Sequence, residues 1–231
     1  MADVAVITSG RTVDEAVGVV VAQLPGWRLT TEDGPLAAAL VTAGATVRRR
    51  ALIMSCVLET ITDPGPPLDP FIPRPVPLTA DLAAWAPVLQ SWRDAFPVGH
   101  PDHQDLDDQG AVDFFKPLVD GSALGPLHRS SCLLEDDHGR MVAGILVNVR
   151  PSDPPWGGAW SDIWRDHSLR GTGIGPALIA RAKHRLADDG LTALTLAVTA
   201  GNNARRTYER AGFAIVMDSL ILDVPGVVVD R

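Results

Sequence analysis

Two short segments of the chain contain residues whose types and spacing could do chemistry. Residues 170–175 read Arg-Gly-Thr-Gly-Ile-Gly and stand between a predicted strand and a predicted helix. Residues 201–213 read GNNARRTYERAGF and include Tyr208, the only tyrosine in the chain. About one strand–helix–strand unit separates them. Together they predict a loop that binds a diphosphate, followed by a phenol that can give a proton to a leaving thiolate.

The first segment has the features of an anion-binding loop. Backbone amides at the start of a helix favour negative charge, and Gly171, Gly173 and Gly175 remove side chains where phosphates must approach. Arg170 adds a positive charge at the entrance. The spacing differs from the Gly-x-Gly-x-x-Gly of dinucleotide-binding folds, and the Gly-Lys-Ser/Thr of a Walker loop is absent. A glycine-rich turn that binds nothing is the alternative.

Hydrophobic periodicity predicts helices and strands on both sides of a proline-rich segment. Helices are predicted over residues 12–24, 35–43, 79–96, 111–119, 173–186 and 203–211. Strands are predicted over residues 4–8, 27–31, 46–58, 130–135, 141–149, 160–166, 194–199 and 213–224. Seven prolines between residues 64 and 77 exclude a helix or a central strand there. The predicted domains are an N-terminal αβ appendage (1–60), a linker (61–78) and a main domain (79–231).

The order of elements defines the fold class. From residue 129 onward the order is β-β-β-α-β-α-β, which implies a mixed sheet with helices on its faces. The predicted class is therefore α/β with a mixed sheet. Two details stay open: whether Pro87 kinks or splits its helix, and whether Asp218 makes a bulge or turn in the last strand.

The appendage resembles part of the main domain. When residues 27–56 are aligned without gaps to residues 195–224, strand falls on strand and helix on helix, although only five of thirty positions are identical. Leu40 then stands at the position of Tyr208, so residues 27–56 should be catalytically silent. One interpretation is a degenerate half-copy of the main domain, and the other is an unrelated αβ appendage.

Negative charge is concentrated in the middle of the chain. The net charge is −8, and residues 61–135 alone contain 4 basic and 11 acidic side chains. An acidic field repels phosphate backbones and attracts cations, so nucleic acid is not an expected partner and a cationic molecule is favoured. The alternative is that these aspartates only solvate a loop.

Composition favours a cytoplasmic protein. No apolar run reaches the ~18 residues of a membrane span, and the first residues lack the pattern of a signal peptide, so no membrane association is expected. Cys56 and Cys132 are predicted to be buried and unpaired. The last apolar strand, with Val227, Val228 and Val229 beyond it, could pair across a homodimer.

The two motifs resemble those of the GNAT superfamily of acetyl-CoA-dependent N-acetyltransferases. The Arg/Gln-x-x-Gly-x-Gly/Ala loop of that superfamily matches Arg170 to Gly175, and its later Asn…Ala-x-x-x-Tyr-x-x-x-Gly-Phe segment matches residues 202–213. The resemblance covers residues 79–224 in element order and 160–216 closely. It implies a GNAT-like acyl-CoA transferase fold with acetyl-CoA as cosubstrate and no metal.

The resemblance also implies roles for individual residues. The arm of acetyl-CoA would lie between the strands at 160–166 and 194–199, and Tyr208 would stand beside the sulfur as the proton donor. The implied cofactor-binding residues are Trp164, Arg165, Asp166, Arg170, Gly171, Thr172, Gly173, Ile174, Gly175, Asn202, Asn203 and Arg206.

The general base is less clearly implied. Asp162 lies where related enzymes often have an acidic residue facing the acceptor, but many of them have a glutamate one residue earlier, where this chain has Ser161. Asp162 would therefore bind the amine, act through a water, or only pair with Arg165 or Arg170.

The acidic loop (residues 100–108) is the remaining candidate. Calcium is excluded because Lys116 stands where an EF-hand loop needs a bidentate glutamate, and zinc lacks its third and fourth ligands. The family suggests an acceptor-recognition loop in which His100, Asp102 or His103 is an alternative base. A solvated loop is the other interpretation.

Three functions follow as expectations. The first is transfer of acetyl from acetyl-CoA to a primary amine, on a small cationic molecule. The second is a non-catalytic acetyl-CoA-binding protein that uses the appendage as a partner surface. The third is a nucleotide-binding αβ domain.

Overall fold

The computed structural model of the protein describes residues 12–59, 61–79, 81–150 and 158–226. The α-helices of this part are α1 (Val13–Gln23), α2 (Gly34–Thr42), α3 (Leu82–Ala95), α4 (Asp108–Val119), α5 (Ile174–Asp188) and α6 (Ala204–Arg210), with a 3₁₀ helix at His167–Leu169. The strands are β1 (Arg28–Thr31), β2 (Thr46–Val57), β3 (Ile72–Arg74), β4 (Cys132–Glu135), β5 (Met141–Arg150), β6 (Gly158–Arg165), β7 (Ala193–Thr199) and β8 (Ala214–Asp223). The predicted strand at 4–8 and Val227–Val229 lie outside the described residues.

The predicted class and order of elements are confirmed. The fold is mixed α/β, and after residue 129 it follows the predicted order of strands and helices. Polar side chains cap the helix starts: Thr12 and Glu15 form a capping box at the predicted start of α1, and Asp107 accepts the Gly110 amide at α4. The helix α4 begins three residues before its predicted start, because Asp107 of the acidic loop serves as its cap. Pro87 lies inside α3 without dividing it.

Contacts divide the chain into two compact units, residues 1–53 with 215–231 and residues 54–214. In the first unit β8 pairs antiparallel with β1, so that Arg28 lies opposite Asp223. The helices α1 and α2 pack their buried side chains against the last strand, and the core of this unit consists of Val20, Ala37, Leu40, Ala45, Leu222 and Val224. Cys56 and Cys132, in the second unit, are free and buried as predicted.

The units divide the chain at other positions than the predicted boundaries of 60 and 78. The last strand belongs with the N-terminal residues because its hydrogen-bonded partner is β1. Sequence periodicity cannot show which distant strand a strand pairs with. Whether 1–60 and 79–231 are separate domains stays a prediction.

Local geometry within the aligned segments 27–56 and 195–224 is alike. Each segment is a strand, a helix and a strand in the predicted register. The helix of each is followed by a glycine with left-handed backbone, Gly44 at φ 99° and Gly212 at φ 88°. A glycine at this position ends a helix without steric cost.

Two contacts in the first unit join residues that the alignment makes equivalent. The Arg50 guanidinium pairs with the Asp218 carboxylate, and the Ser219 hydroxyl donates to the Ala51 carbonyl. Equivalent residues meet in this way where a pseudo-twofold axis passes between two strands. The contacts support the half-copy interpretation, which stays a hypothesis. Asp218 lies inside the uninterrupted strand β8, so the turn considered for it is not formed.

The second unit is built on the strand order β7-β6-β5-β4-β3. β6 runs parallel to β7, and the other neighbours are antiparallel. The edge strand β3 lies within the predicted linker, with Pro73 at its centre, and an edge is where a sheet tolerates proline. β5 is buried continuously from residue 142 to 148, since α3 and α5 both pack against it.

An aromatic core holds α3 and α4 against this sheet. Trp85 stacks on Phe115 with ring centroids 4.9 Å apart, and Trp92 meets the edge of the same phenyl ring at 5.5 Å. Phe115 in turn contacts Trp164 of β6 at 5.7 Å. The indole N–H of Trp164 donates to the Ser91 hydroxyl at 3.1 Å, which satisfies its polar atom inside the core.

Gly144 should not tolerate a side chain. A Cβ atom there would overlap the indole ring of Trp164 in the cross-strand pair, so Gly144→Ala should destabilise the protein by about 1–3 kcal/mol through overpacking. Gly18→Ala is the matched control, because its Cβ would meet open space within α1 and should stabilise by about 0.5–1 kcal/mol. Urea unfolding measures both, and equal midpoints for the two variants would contradict the prediction.

Candidate active site

The pairing of β6 with β7 is short. The parallel register runs from Ala159↔Leu194 to Ser161↔Leu196 and ends there, although β6 continues to Arg165 and β7 to Thr199. The other edge of β6 stays paired with β5 as far as Arg165. The carboxyl ends of β6 and β7 therefore form an open strand pair, defined by residues 162–165 and 197–199. Main-chain polar groups on the facing edges are available to an extended ligand.

The glycine loop (residues 170–175) leads from the 3₁₀ helix into α5. Gly171 and Gly173 have left-handed backbone, with φ of 87° and 83°. No side chain caps α5 at Gly173, and a Cβ atom at Gly171, Gly173 or Gly175 would meet open space. The loop is exposed from Arg170 to Gly173. Its amides and the start of α5 can thus be approached closely by an anion.

Asp166 organises the turn before this loop. Its carboxylate accepts hydrogen bonds from the Ser168 amide at 2.8 Å and the Ser168 hydroxyl at 2.7 Å, and it pairs with Arg140 at 3.3 Å. Burial opposes ionisation, but these hydrogen bonds and Arg140 more than offset it and lower the pKa of Asp166. The Asp166 amide donates to Val142. The predicted cofactor residue is thus occupied by protein groups that shape the turn.

Two arginines stand close together beside the loop. Burial lowers the pKa of the half-buried Arg165, and the positive charge of Arg170 lowers it further. Arg165 also donates to the Asp166 carbonyl at 3.1 Å. An anion bound beside these two positive charges and the exposed amides would lower the repulsion between the charges. A diphosphate is an anion of this kind. Trp164, by contrast, contributes its side chain to the core, so only its backbone faces the open strand pair.

Tyr208 lies on α6 and is 9% exposed. Burial raises its pKa, the negative charges of Asp162 and Asp102 raise it further, and Arg165 opposes them. Asp162 and Arg165, at the carboxyl end of β6, thus lie near enough to Tyr208 for their charges to act on its phenol. The phenol stays protonated over the physiological pH range.

The residues before α6 have different environments. The Asn202 side-chain oxygen accepts the amide of Ala204, the first residue of α6, at 2.8 Å, while its side-chain amide donates to Asp102 at 2.5 Å. Asn203 and Arg206 are exposed. Of the three predicted cofactor contacts here, Asn202 is thus already engaged with protein.

The acidic loop reaches the open strand pair. Asp102 accepts hydrogen bonds from Thr199, the last residue of β7, and from Asn202. On the other side, His100 lies near enough to His167, just beyond β6, for the two charges to interact. The predicted loop is thus hydrogen-bonded to the end of β7 and to the turn before α6. Sequence reasoning missed Thr199, and no local motif indicates it.

Hydrogen bonds distinguish the two loop histidines. His100 Nδ1 accepts the Asp102 amide at 3.1 Å, so the neutral ring has its proton on Nε2 and cannot accept another there. His103 Nδ1 lies 2.8 Å from the Phe96 carbonyl, which only accepts, so Nε2 of the neutral ring is left as an acceptor. Burial lowers the pKa of His100, with His167 and His103 adding to the shift and Asp102 opposing it. Of the two, His103 has the tautomer that a base requires.

The sequence matches the model of the acetyltransferase (GNAT) family over residues 85–213, which is more than half of the chain. The chain belongs to the GNAT family. No curated protein matches it in sequence. The match includes the open strand pair, the glycine loop and Tyr208.

Solved structures show the same fold. A GCN5-related N-acetyltransferase from Sphaerobacter thermophilus has a TM-score of 0.60 at 16% identity, over 88% of this chain and 62% of the other. A functionally unknown conserved protein from Staphylococcus epidermidis has a TM-score of 0.63 at 12% identity, over 94% and 83%. A GNAT-family acetyltransferase from Colwellia psychrerythraea has 0.57 at 15%, over 91% and 72%. This GNAT protein thus spans less than two thirds of the Sphaerobacter protein.

The GNAT protein also has a groove outside this site. A groove of about 150 Å³ is bordered by α3 and α4, and its lining residues are Leu78, Thr79, Trp85, Val112, Lys116, Val119 and Asp120. Within the described ranges, no group of three metal-binding side chains is found, and no helix has the length and hydrophobicity to cross a membrane.

The single tyrosine allows its titration to be followed directly. Because burial and two carboxylates raise the pKa of Tyr208 above 10.0, the folded protein should show no tyrosinate absorbance at pH 10. The same chain in concentrated urea should be about half ionised there. The stability that this shift contributes is complete below pH 10 and is lost as pH rises through the folded pKa. A folded protein that titrates together with the unfolded chain would contradict this environment.

Proposed function

We propose that the protein is an N-acetyltransferase that moves acetyl from acetyl-CoA to the primary amine of a small cationic molecule. The observation that carries the proposal is a buried, protonated Tyr208 at the carboxyl end of the open strand pair. The family assignment supports acyl transfer in general. The identity of the donor, the amine as acceptor and the positive charge of the acceptor are inferred from the residues of the site.

The residues around the open strand pair fit acetyl-CoA. The exposed amides of Gly171 and Gly173, with the charges of Arg165 and Arg170, would hold the diphosphate. Main-chain groups along 162–165 and 197–199 would hold the extended arm, which carries amides of its own. The thioester would then lie near Tyr208. When bound, acetyl-CoA supplies an acyl group activated by a thiol leaving group.

The chain's own groups account for each proton in the reaction. The neutral amine forms a bond to the acyl carbon, the carbon–sulfur bond breaks, and the amine loses a proton to a base. Tyr208 gives its phenol proton to the leaving sulfur and is reprotonated from solvent. Asp162 is the carboxylate next to this phenol that would receive the ammonium group or, through a water, its proton.

The raised pKa of Tyr208 favours a cationic acceptor. Transfer from a phenol above pKa 10 to a thiolate whose acid has a pKa near ~8.5 is uphill. A cation bound beside Asp162 and Asp102 would offset the two charges that raise this pKa. The proton would then become easier to transfer once the acceptor is in place. The acidic charge of residues 61–135 would attract such a molecule.

Tyr208→Phe tests the proton donor. Thiol release from acetyl-CoA, followed over a panel of amines, should be seen for the natural chain and should fall about 10²–10⁴-fold in the variant. Affinity for CoA should stay unchanged, because the ring is retained. Tight CoA binding without turnover on any amine would favour a non-catalytic acetyl-CoA-binding protein instead.

Arg170→Gln tests the diphosphate site. Loss of one charge beside the glycine loop should weaken CoA binding about tenfold in calorimetry, in line with a charge-assisted hydrogen bond. Pantetheine, which lacks the diphosphate, should bind both proteins equally. The control Arg210→Gln removes an exposed arginine at the end of α6 and should change neither affinity. Equal losses for CoA and pantetheine would place the diphosphate elsewhere.

A further inference from the structure

The acidic loop connects α3 to α4 and contacts the carboxyl end of β7 and the turn before α6. Its attachment on the β7 side is Asp102, which accepts from the Thr199 hydroxyl and from the Asn202 side-chain amide. These two donors lie next to different elements, since Thr199 is the last residue of β7 and Asn202 precedes α6. One carboxylate therefore joins the acidic loop to two neighbouring positions, the end of β7 and the residue before α6, which lie 97 and 100 residues further along the chain.

Asn202 extends this connection to the phenol. Its Oδ1 accepts the amide of Ala204, the first residue of α6, while its Nδ2 donates to Asp102. Tyr208 is one helical turn further along the same short helix, and the charge of Asp102 reaches it. The acidic loop and the start of the helix that carries Tyr208 are thus held by the same side chain.

We propose that Asp102 is a positioning residue, which fastens the acidic loop to the ends of β7 and α6 and thereby places the acceptor surface opposite Tyr208. Its hydrogen bonds to Thr199 and Asn202 are the observation from which this follows. The kinetic part of the proposal rests on the proposed acetyltransferase function, and the structural part does not.

A base role for Asp102 conflicts with its contacts. Each carboxylate oxygen already accepts a hydrogen bond from a neutral side-chain donor, one from Thr199 and one from Asn202. A proton on this carboxylate would remove the negative charge that strengthens both hydrogen bonds, and the Asn202 NH₂ group, which only donates, could not accept in return. Asp102 is therefore suited to hold these segments together.

The structural test compares Asp102→Asn with Asp105→Asn by hydrogen–deuterium exchange. Both variants remove one charge from the acidic loop, but the Asp105 side chain is exposed and lies outside the Asp102 connection. Amides of residues 97–107 and 203–208 should exchange about tenfold faster in Asp102→Asn, the loss expected for one charge-assisted hydrogen bond. Thr199→Val should reproduce this increase, and the double variant should add nothing further.

The kinetic test separates positioning from proton transfer. In Asp102→Asn and in Thr199→Val, KM for the amine should rise about tenfold, and the pH dependence of kcat should keep its acidic limb. If Asp102 were the base, Asp102→Asn would lower kcat and remove that limb, and Thr199→Val would leave both unchanged. The control Asp105→Asn removes one charge of the loop without removing a contact of Asp102, so it should show only the part of the KM change that is due to charge.

Each result decides one point. Exchange in Asp102→Asn that equals exchange in Asp105→Asn overturns the positioning role, whatever the kinetics. Loss of the acidic limb in Asp102→Asn with unchanged exchange would identify Asp102 as the base and would also overturn the positioning role. Absence of turnover on any amine in the natural chain removes the proposed function, while the exchange comparison still decides whether Asp102 holds the loop.

Discussion

The site depends on where the hydrogen bonds between β6 and β7 stop. A parallel pair that continued to Arg165 and Thr199 would use its main-chain groups within the sheet and leave no opening. Because the pair ends at Ser161 and Leu196, the two strands separate and their following segments go to different places. The segment after β6 forms the glycine loop, and the segment after β7 forms the turn into α6. Both motifs of the sequence owe their positions to this separation.

Charge around the opening is arranged in two regions. Arg165 and Arg170 make the region beside the glycine loop positive, whereas Asp162 and Asp102 make the region around Tyr208 negative. An anionic end and a cationic group are therefore favoured at opposite ends of one extended site. This separation suits the proposed reaction, in which an acyl group passes from a diphosphate-containing thioester to an amine and the thiol leaves.

Local sequence patterns predicted the elements well because each pattern reports on its own segment. The caps at Thr12 and Asp107, the left-handed Gly212, and the glycines that begin α5 all act over a few residues. The motifs likewise located Tyr208 and the glycine loop. The pattern gave no indication of β3, since an edge strand with a central proline looks like a linker.

Contacts between distant segments could not be predicted in the same way. Asp102 was a candidate base in the sequence, but its partners Thr199 and Asn202 lie about 100 residues away, and only the folded chain brings them together. Asp166 and Trp164 matched cofactor positions by motif, yet one side chain shapes a turn and the other fills the core. A motif specifies position along the chain, whereas the direction of a side chain depends on what packs around it.

The pairing of β8 with β1 has a consequence for how the polypeptide can be shortened. Leu222 and Val224 are covered by Val20, Ala37 and Leu40 from the opposite end of the chain. A fragment that began after residue 60 would keep every group of the reaction centre but expose these aliphatic side chains to water, next to a strand edge with no neighbour. Such an edge invites association with other molecules of the fragment. The first 60 residues therefore protect the carboxyl-terminal strand.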